Sequence, residues 1–174
     1  MEYLLDIVKI SVSGVLVLIA TYFLINRMFE NAERKRYYEL KKDAAKTLNP
    51  IRLTAYERLA LLLERLKPEA LVLRLQIPGM TAHDLHMALL TTIREEFDHN
   101  VTQQIYVSGN VWLMVRASKD NLVQFINTVA AQIPDDVPGV EFGKMLIQKY
   151  DEGETASPLD TALEGLKREV KSFQ

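Results

Sequence analysis

From Ile7 to Ile25 every residue is apolar, small or hydroxylated except Lys9, and directly behind this run the chain becomes crowded with charge. At ~1.5 Å rise per residue a helix over 7–25 nearly matches the ~30 Å hydrocarbon core of a bilayer. A secretory signal would start basic and end at a small-x-small cleavage site. This chain starts Met1-Glu2-Tyr3, and the apolar run ends Phe23-Leu24-Ile25-Asn26-Arg27. A helix buried in a soluble core normally keeps some polar face over such a length. The stretch therefore predicts a transmembrane helix over 7–25, preceded by a short extracytoplasmic tail over 1–6.

The flanks predict the orientation. Arg27, Arg34, Lys35, Arg36, Lys41, Lys42 and Lys46 follow the span, whereas Glu2 and Asp6 precede it. By the positive-inside rule the N-terminus lies outside and the bulk of the chain is cytoplasmic. Lys9 sits where its stem can snorkel to the nearer interface. Residues 26–48 contain no glycine or proline and are rich in Glu, Lys, Arg and Ala, so the helix is expected to continue as a charged stalk. Arg27, Arg34, Lys35 and Arg36 are the candidates for lipid headgroup contacts. On a straight helix Arg34 stands about 13 Å past the membrane edge, beyond a Debye length of ~8 Å, so that attraction is expected to be modest. Tyr37, Leu40, Ala44 and Leu48 form a thin apolar stripe along the stalk.

Asn49-Pro50 reads as punctuation, and residues 49–174 are the length of one compact domain. The block "IRLTAYERLALLLERLKPEALVLRL" places Tyr56, Leu59, Leu62, Leu63 and Leu66 at helical spacing, with Leu53, Ala60 and Leu61 apolar on other faces. Such a helix belongs inside a bundle or at an oligomer interface. Pro68 can open a second helix, yet residues 71–77 also alternate as a strand would. "IPGMTAHD" predicts a turn through Pro78-Gly79, then a helix capped by Thr81 with Asp84 completing the box and running to about His99. Its apolar arc is Ala82, Leu85, Leu89, Ile93 and Phe97.

"NVTQQIYVSGNVWLMVRASKD" reads two ways. Ile105 to Val107 and Val111 to Val115 can pair as a hairpin around Ser108-Gly109-Asn110, giving a small α+β domain. Alternatively Ser108 caps a helix carrying Val111, Trp112, Val115 and Leu122. The fold expected is mostly α, with α+β as the alternative. Leu122 to Ile133 and Val140 to Tyr150 are two further helices. The chain closes with a helix capped by Ser157 and opened by Pro158. On it Leu159, Leu163, Leu166, Val170 and Phe173 make a stripe that either docks on its own domain or binds a partner.

The chemistry expected of this chain is sparse. It has no cysteine, which excludes disulfides and thiolate catalysis, and a net charge of −2 with a pI near 6.0 gives no sign of nucleic-acid binding. No phosphate-binding loop, nucleophile elbow, H-E-x-x-H or calcium loop occurs. His83, His86 and His99 with Asp84, Glu95 and Glu96 are the only cluster from which an enzyme site could be built. His99 lies roughly 160° around the helix from His83, however, and hydrogen-bonded boundary histidines are the simpler reading. No cofactor or metal is expected.

The blocks "AYERLALLLERL", "QIPGMTAHDL" and "TIREEFDHNVTQQIYVS" behind one N-terminal anchor resemble a family of bacterial single-pass membrane proteins of unknown function. The resemblance implies a bacterial inner membrane as the address and supplies no activity. The expected role is a membrane-tethered, non-catalytic interaction or accessory subunit, with the bilayer and a protein partner or second copy as its partners. An enzyme built on the histidine-acid cluster is the alternative.

Overall fold

The computed structural model describes the backbone of residues 2–153 and 157–172, with side chains throughout these except at 2, 4–13 and 44. Among the described residues the chain is mostly α and contains no strand. Its helices are α1 (Glu2–Arg65), α2 (Pro68–Leu75), α3 (Ala82–Asn100), α4 (Gly109–Ala130), α5 (Gly139–Asp151) and α6 (Pro158–Lys171), with a 3-10 turn over Val101–Ile105. The chain divides into two compact units, Met1–Asn49 and Pro50–Gln174.

In the first unit the described apolar side chains are uncovered. Val15 to Ile19 and Tyr22 to Ile25 are all strongly exposed, as are Tyr37, Leu40 and Leu48 of the stalk stripe. The side chain of Ala44 lies outside the described set. One expectation is corrected here: Asn49-Pro50 does not end a helix, because α1 carries Pro50 in its interior. Proline removes one i→i−4 bond and crowds the preceding turn, which costs ~3 kcal/mol but leaves the bonds beyond it intact. The bond lost is the one to the Lys46 carbonyl, while downstream Thr54 Oγ1 donates to the Pro50 carbonyl at 3.1 Å.

The second unit is a helical bundle around one core. Leu59, Leu62, Leu63 and Leu66 are almost fully buried, whereas Leu53 and Leu61 are about half exposed, so only one side of the 50–65 segment faces inward. Residues 71–77 resolve as helix through Leu75: α2 opens at Pro68, buries Leu71 and Val72, and ends at Gln76. Gly79 turns the chain at φ 90°, a conformation glycine adopts without steric cost. Thr81 and Asp84 then form the full capping box, Thr81 Oγ1 accepting from the Asp84 amide and Asp84 Oδ2 accepting from the Thr81 amide, each at 3.1 Å. Ala82, Leu85, Leu89 and Ile93 are buried as their spacing predicts, and Phe97 packs at the margin on Trp112, ring centres 5.4 Å apart.

Ser108 caps a helix and does not turn a hairpin, its hydroxyl accepting from Val111 N at 3.3 Å. A second correction follows: the helices expected around Val111 and over Leu122–Ile133 are one helix, α4, which ends at Ala130. Val111, Val115, Ser118, Leu122, Ile126 and Val129 form its buried face at unbroken helical spacing. Ala131 N still reaches the Asn127 carbonyl four residues back, whereas Gln132 and Ile133 make only i→i−3 turn bonds before Pro134. The entries to α3 and α5 are tied together by Ala82 N to Val137 O at 2.7 Å and Gly139 N to Met80 O at 2.8 Å.

Candidate functional site

The α6 stripe is split by the fold. Leu159 and Leu166 are buried in their own domain, 1% and 2% exposed, so both belong to its core, with Leu166 at the floor of an open groove. This corrects their place in the candidate partner-binding set. Leu163 and Val170 stand at the edge of the core, half-buried. With Leu53, Tyr56 and Ala60 they line that groove, about 340 Å³ in volume, flanked by Glu57, Lys167 and Lys171. Phe173 lies outside the described residues.

A polar junction pins one end of this groove. Glu169 Oε1 accepts from the Tyr56 hydroxyl at 2.5 Å and from the Ser108 amide at 2.8 Å, and Glu169 Oε2 accepts from the Ser108 hydroxyl. Arg52 reaches the Tyr56 hydroxyl at 3.5 Å and donates through Nε to the Tyr106 carbonyl at 3.2 Å. One carboxylate thus joins the 50–65 segment, the start of α4 and the end of α6. Burial alone would raise the Glu169 carboxyl, but the donors from Ser108 and Tyr56 and the Arg52 charge hold it below the usual range. Tyr56 is pushed up to about 12 by burial and by the carboxylate it binds.

The sign of the pH dependence follows. A depressed carboxyl contributes stability above its unfolded pKa and loses it as pH falls through the folded value. Acid titration of the unfolding midpoint should therefore show a loss as pH falls below the ordinary glutamate value of 4.5 that is smaller in Glu169→Gln, whose midpoint at pH 7 is already lower. Tyr56 adds the opposite limb: its contribution is complete below pH 10 and declines as pH rises toward 12. Equal acid limbs in the two proteins would refute this account of the junction.

The histidine-acid cluster does not converge. His86 Nε2 pairs with Asn127 Oδ1 at 2.7 Å, with its ring edge-on to Phe142. His99 Nδ1 meets the Glu95 carbonyl at 2.7 Å, and His83 Nδ1 lies 3.9 Å from Asp135 at the surface. Asp84 is committed to the α3 cap, and Glu96 receives Arg65 at 2.6 Å and Arg74 at 3.4 Å. Among the described residues no three His, Cys, Asp or Glu side chains are grouped to hold a metal ion. Arg27, Arg34, Lys35 and Arg36 are all exposed along α1.

The Tyr56–Glu169 junction was not foreseen from the sequence. The two residues are 113 positions apart, and neither belongs to a local motif that would signal the contact.

The model of a family of unknown function, DUF7935, matches residues 2–173, and the chain belongs to that family. No curated protein and no solved structure matches it.

Proposed function

We propose that this member of a family of unknown function is a membrane-anchored, non-catalytic interaction or accessory subunit of the bacterial inner membrane, with its N-terminus outside and residues 50–174 in the cytoplasm. The observation that carries the reading is the uncovered apolar surface of α1. An 18-residue window of its 14–65 portion has hydropathy 1.3 and none of it is buried. Val15 to Ile19 and Tyr22 to Ile25 present a continuous apolar surface far larger than soluble proteins leave in water. A bilayer covers such a surface and satisfies the helix, whose backbone bonds are internal. The basic residues that follow the span supply the orientation, and tethering raises the effective concentration of the bundle at a membrane partner.

The partner-facing residues in this reading are Leu163 and Val170 with Leu53 and Ala60. Two lysines against one glutamate at the groove margin favour a partner helix whose apolar face enters the groove with an acidic flank beside Lys171. A photo-crosslinking residue at Val170 should capture that partner in native membranes, and capture should fall when Leu163 is changed to Asp. Capture of a second copy of the chain instead would reassign the groove to self-association.

Topology is tested separately. Tyr3 and Ala45 are both exposed, so a cysteine at either is reachable once on the accessible side. In spheroplasts a membrane-impermeant maleimide should label Tyr3→Cys and spare Ala45→Cys until the membrane is permeabilised. The reverse pattern would overturn the orientation, and labelling of both in intact spheroplasts would overturn the anchor.

A further inference from the structure

Apart from the groove, the bundle contains a second concavity, which cuts into the core between α4, α5 and the start of α6. It has a volume of about 250 Å³, and its walls include Leu122, Phe125, Tyr150 and Leu159. Leu122 and Leu159 are buried core residues, and the Phe125 and Tyr150 rings meet edge to face at 5.7 Å. The walls of the cleft are mainly apolar, with Ser118, Asn121, Lys149 and Ser157 supplying the polar part of the lining. An apolar cavity of ~150 Å³ is large enough to take a benzene molecule. This one has room for a substituted ring.

Its polar content is specific. The Tyr150 hydroxyl is buried and has no hydrogen-bond partner among the described residues. The Ser157 side chain acts on the phenol as a hydrogen-bonding neighbour, but the two hydroxyls do not meet in hydrogen-bond geometry, and Ser157 is committed to Asp160: it donates to Oδ2 at 2.7 Å and accepts from the amide at 3.1 Å. Ser118, also lining the cleft, spends its proton on the Val115 carbonyl at 2.8 Å. An unmade hydrogen bond at a buried donor costs ~1–3 kcal/mol, so a group left in this state stands out among native interiors. Burial also pushes the Tyr150 phenol up from its usual value, which keeps it a donor across the physiological range. The charges acting on it are mixed, with Asp160 and Asp151 carboxylates opposed by Lys67, and Lys149 at the cleft wall spends its ammonium on Gln132 Oε1, so no net charge selects an anion there. A cation would lose its hydration against the apolar walls without a dedicated partner.

We propose that this cleft binds a small, uncharged, mainly apolar molecule, an aromatic or branched carbonyl or ether compound, whose oxygen accepts the orphan Tyr150 hydroxyl while its body lies against Leu122, Phe125 and Leu159. This assignment is independent of the groove and of the membrane reading, because every residue placed against the ligand belongs to α4, α5 or the start of α6.

The test uses the full chain in lipid nanodiscs with acetophenone as probe and ethylbenzene as its counterpart without the oxygen. Binding is followed by the methyl NMR signals of Leu122 and Leu159. Partition into lipid is common to both chains and cancels in the ratio of affinities. Acetophenone should saturate these signals and bind Tyr150→Phe about three- to tenfold more weakly, the range for loss of one neutral hydrogen bond. Ethylbenzene should bind both proteins alike. The unfolding midpoint of Tyr150→Phe without ligand should equal or exceed that of the wild type, since the substitution removes an unpaired donor. Absence of saturation, equal acetophenone affinity in the two proteins, or shifts confined to other residues would overturn the site. A lowered midpoint without acetophenone binding would show that the hydroxyl serves an internal water, and would overturn it equally.

Discussion

Leu166→Asp should be close to unfolding the bundle. Leu166 is 2% exposed and belongs to the same core as Tyr56, Leu59 and Val111. Losing a buried leucine forfeits ~1.5–3 kcal/mol of burial, and the cavity left adds to this. The carboxylate put in its place must be desolvated without a partner or protonated at a cost, which adds several kcal/mol more. A total of about 4 kcal/mol or more is most of the ~5–15 kcal/mol that holds an ordinary domain together. Trp112 is the only tryptophan in the chain and stacks on Phe97, so its fluorescence during urea unfolding of the full chain in nanodiscs reports this bundle specifically. The paired variant Leu163→Asp, at the groove edge, should lower the midpoint far less and act on partner capture instead. An unchanged midpoint in Leu166→Asp together with a lost assembly would return the whole stripe to the binding surface.

The stripe also shows where sequence reasoning runs out. Alternating steps of four and three residues establish that one face of a helix is apolar, and they carry no information on what covers that face. Leu159 and Leu166 prove to be core while Leu163 and Val170 sit at its margin, a division set by helices far away in sequence. The caps behaved differently because they are local. Thr81 with Asp84, and Ser157 with Asp160, bond residues three apart, so the pattern needs no tertiary context to be read. The segment from Val101 to Val115 stayed ambiguous because its apolar residues fit both a period of two and a helical one, and Ser108-Gly109-Asn110 serves equally as hairpin turn or cap. A strand would bury Leu113 together with Val111 and Val115, but Leu113 is 52% exposed while the other two are buried, which decides for the helix. Pro50 misleads for the opposite reason: the proline rule describes a cost to the helix, and here the helix continues despite that cost.

Close approach of backbones, equally invisible in the sequence, gives the second large effect. A Cβ added at Gly143 in α5 would stand 2.8 Å from Val72 Cγ1 in α2, with Gln76 Oε1 at 3.3 Å and Leu85 Cδ2 at 3.6 Å behind it. Val72 is buried and β-branched, so its χ1 has little freedom to yield, and overpacking of this kind costs ~1–3 kcal/mol. Replacing a helical glycine by alanine returns at most ~1 kcal/mol of propensity. The balance for Gly143→Ala is a net loss of about 1–2 kcal/mol. Gly165 in α6 offers the internal control, because a Cβ there also meets an atom at 2.8 Å, but that atom is Met114 Sδ. A methionine thioether swings aside through three rotatable bonds, so the propensity gain survives and Gly165→Ala should leave the midpoint level or raise it. The two substitutions share the same chemistry and the same first contact distance, and differ in which neighbour must move. If both lower the Trp112 midpoint equally, the tolerance of Met114 is wrong; if neither does, α2 and α5 do not meet at Gly143 as closely as 2.8 Å requires.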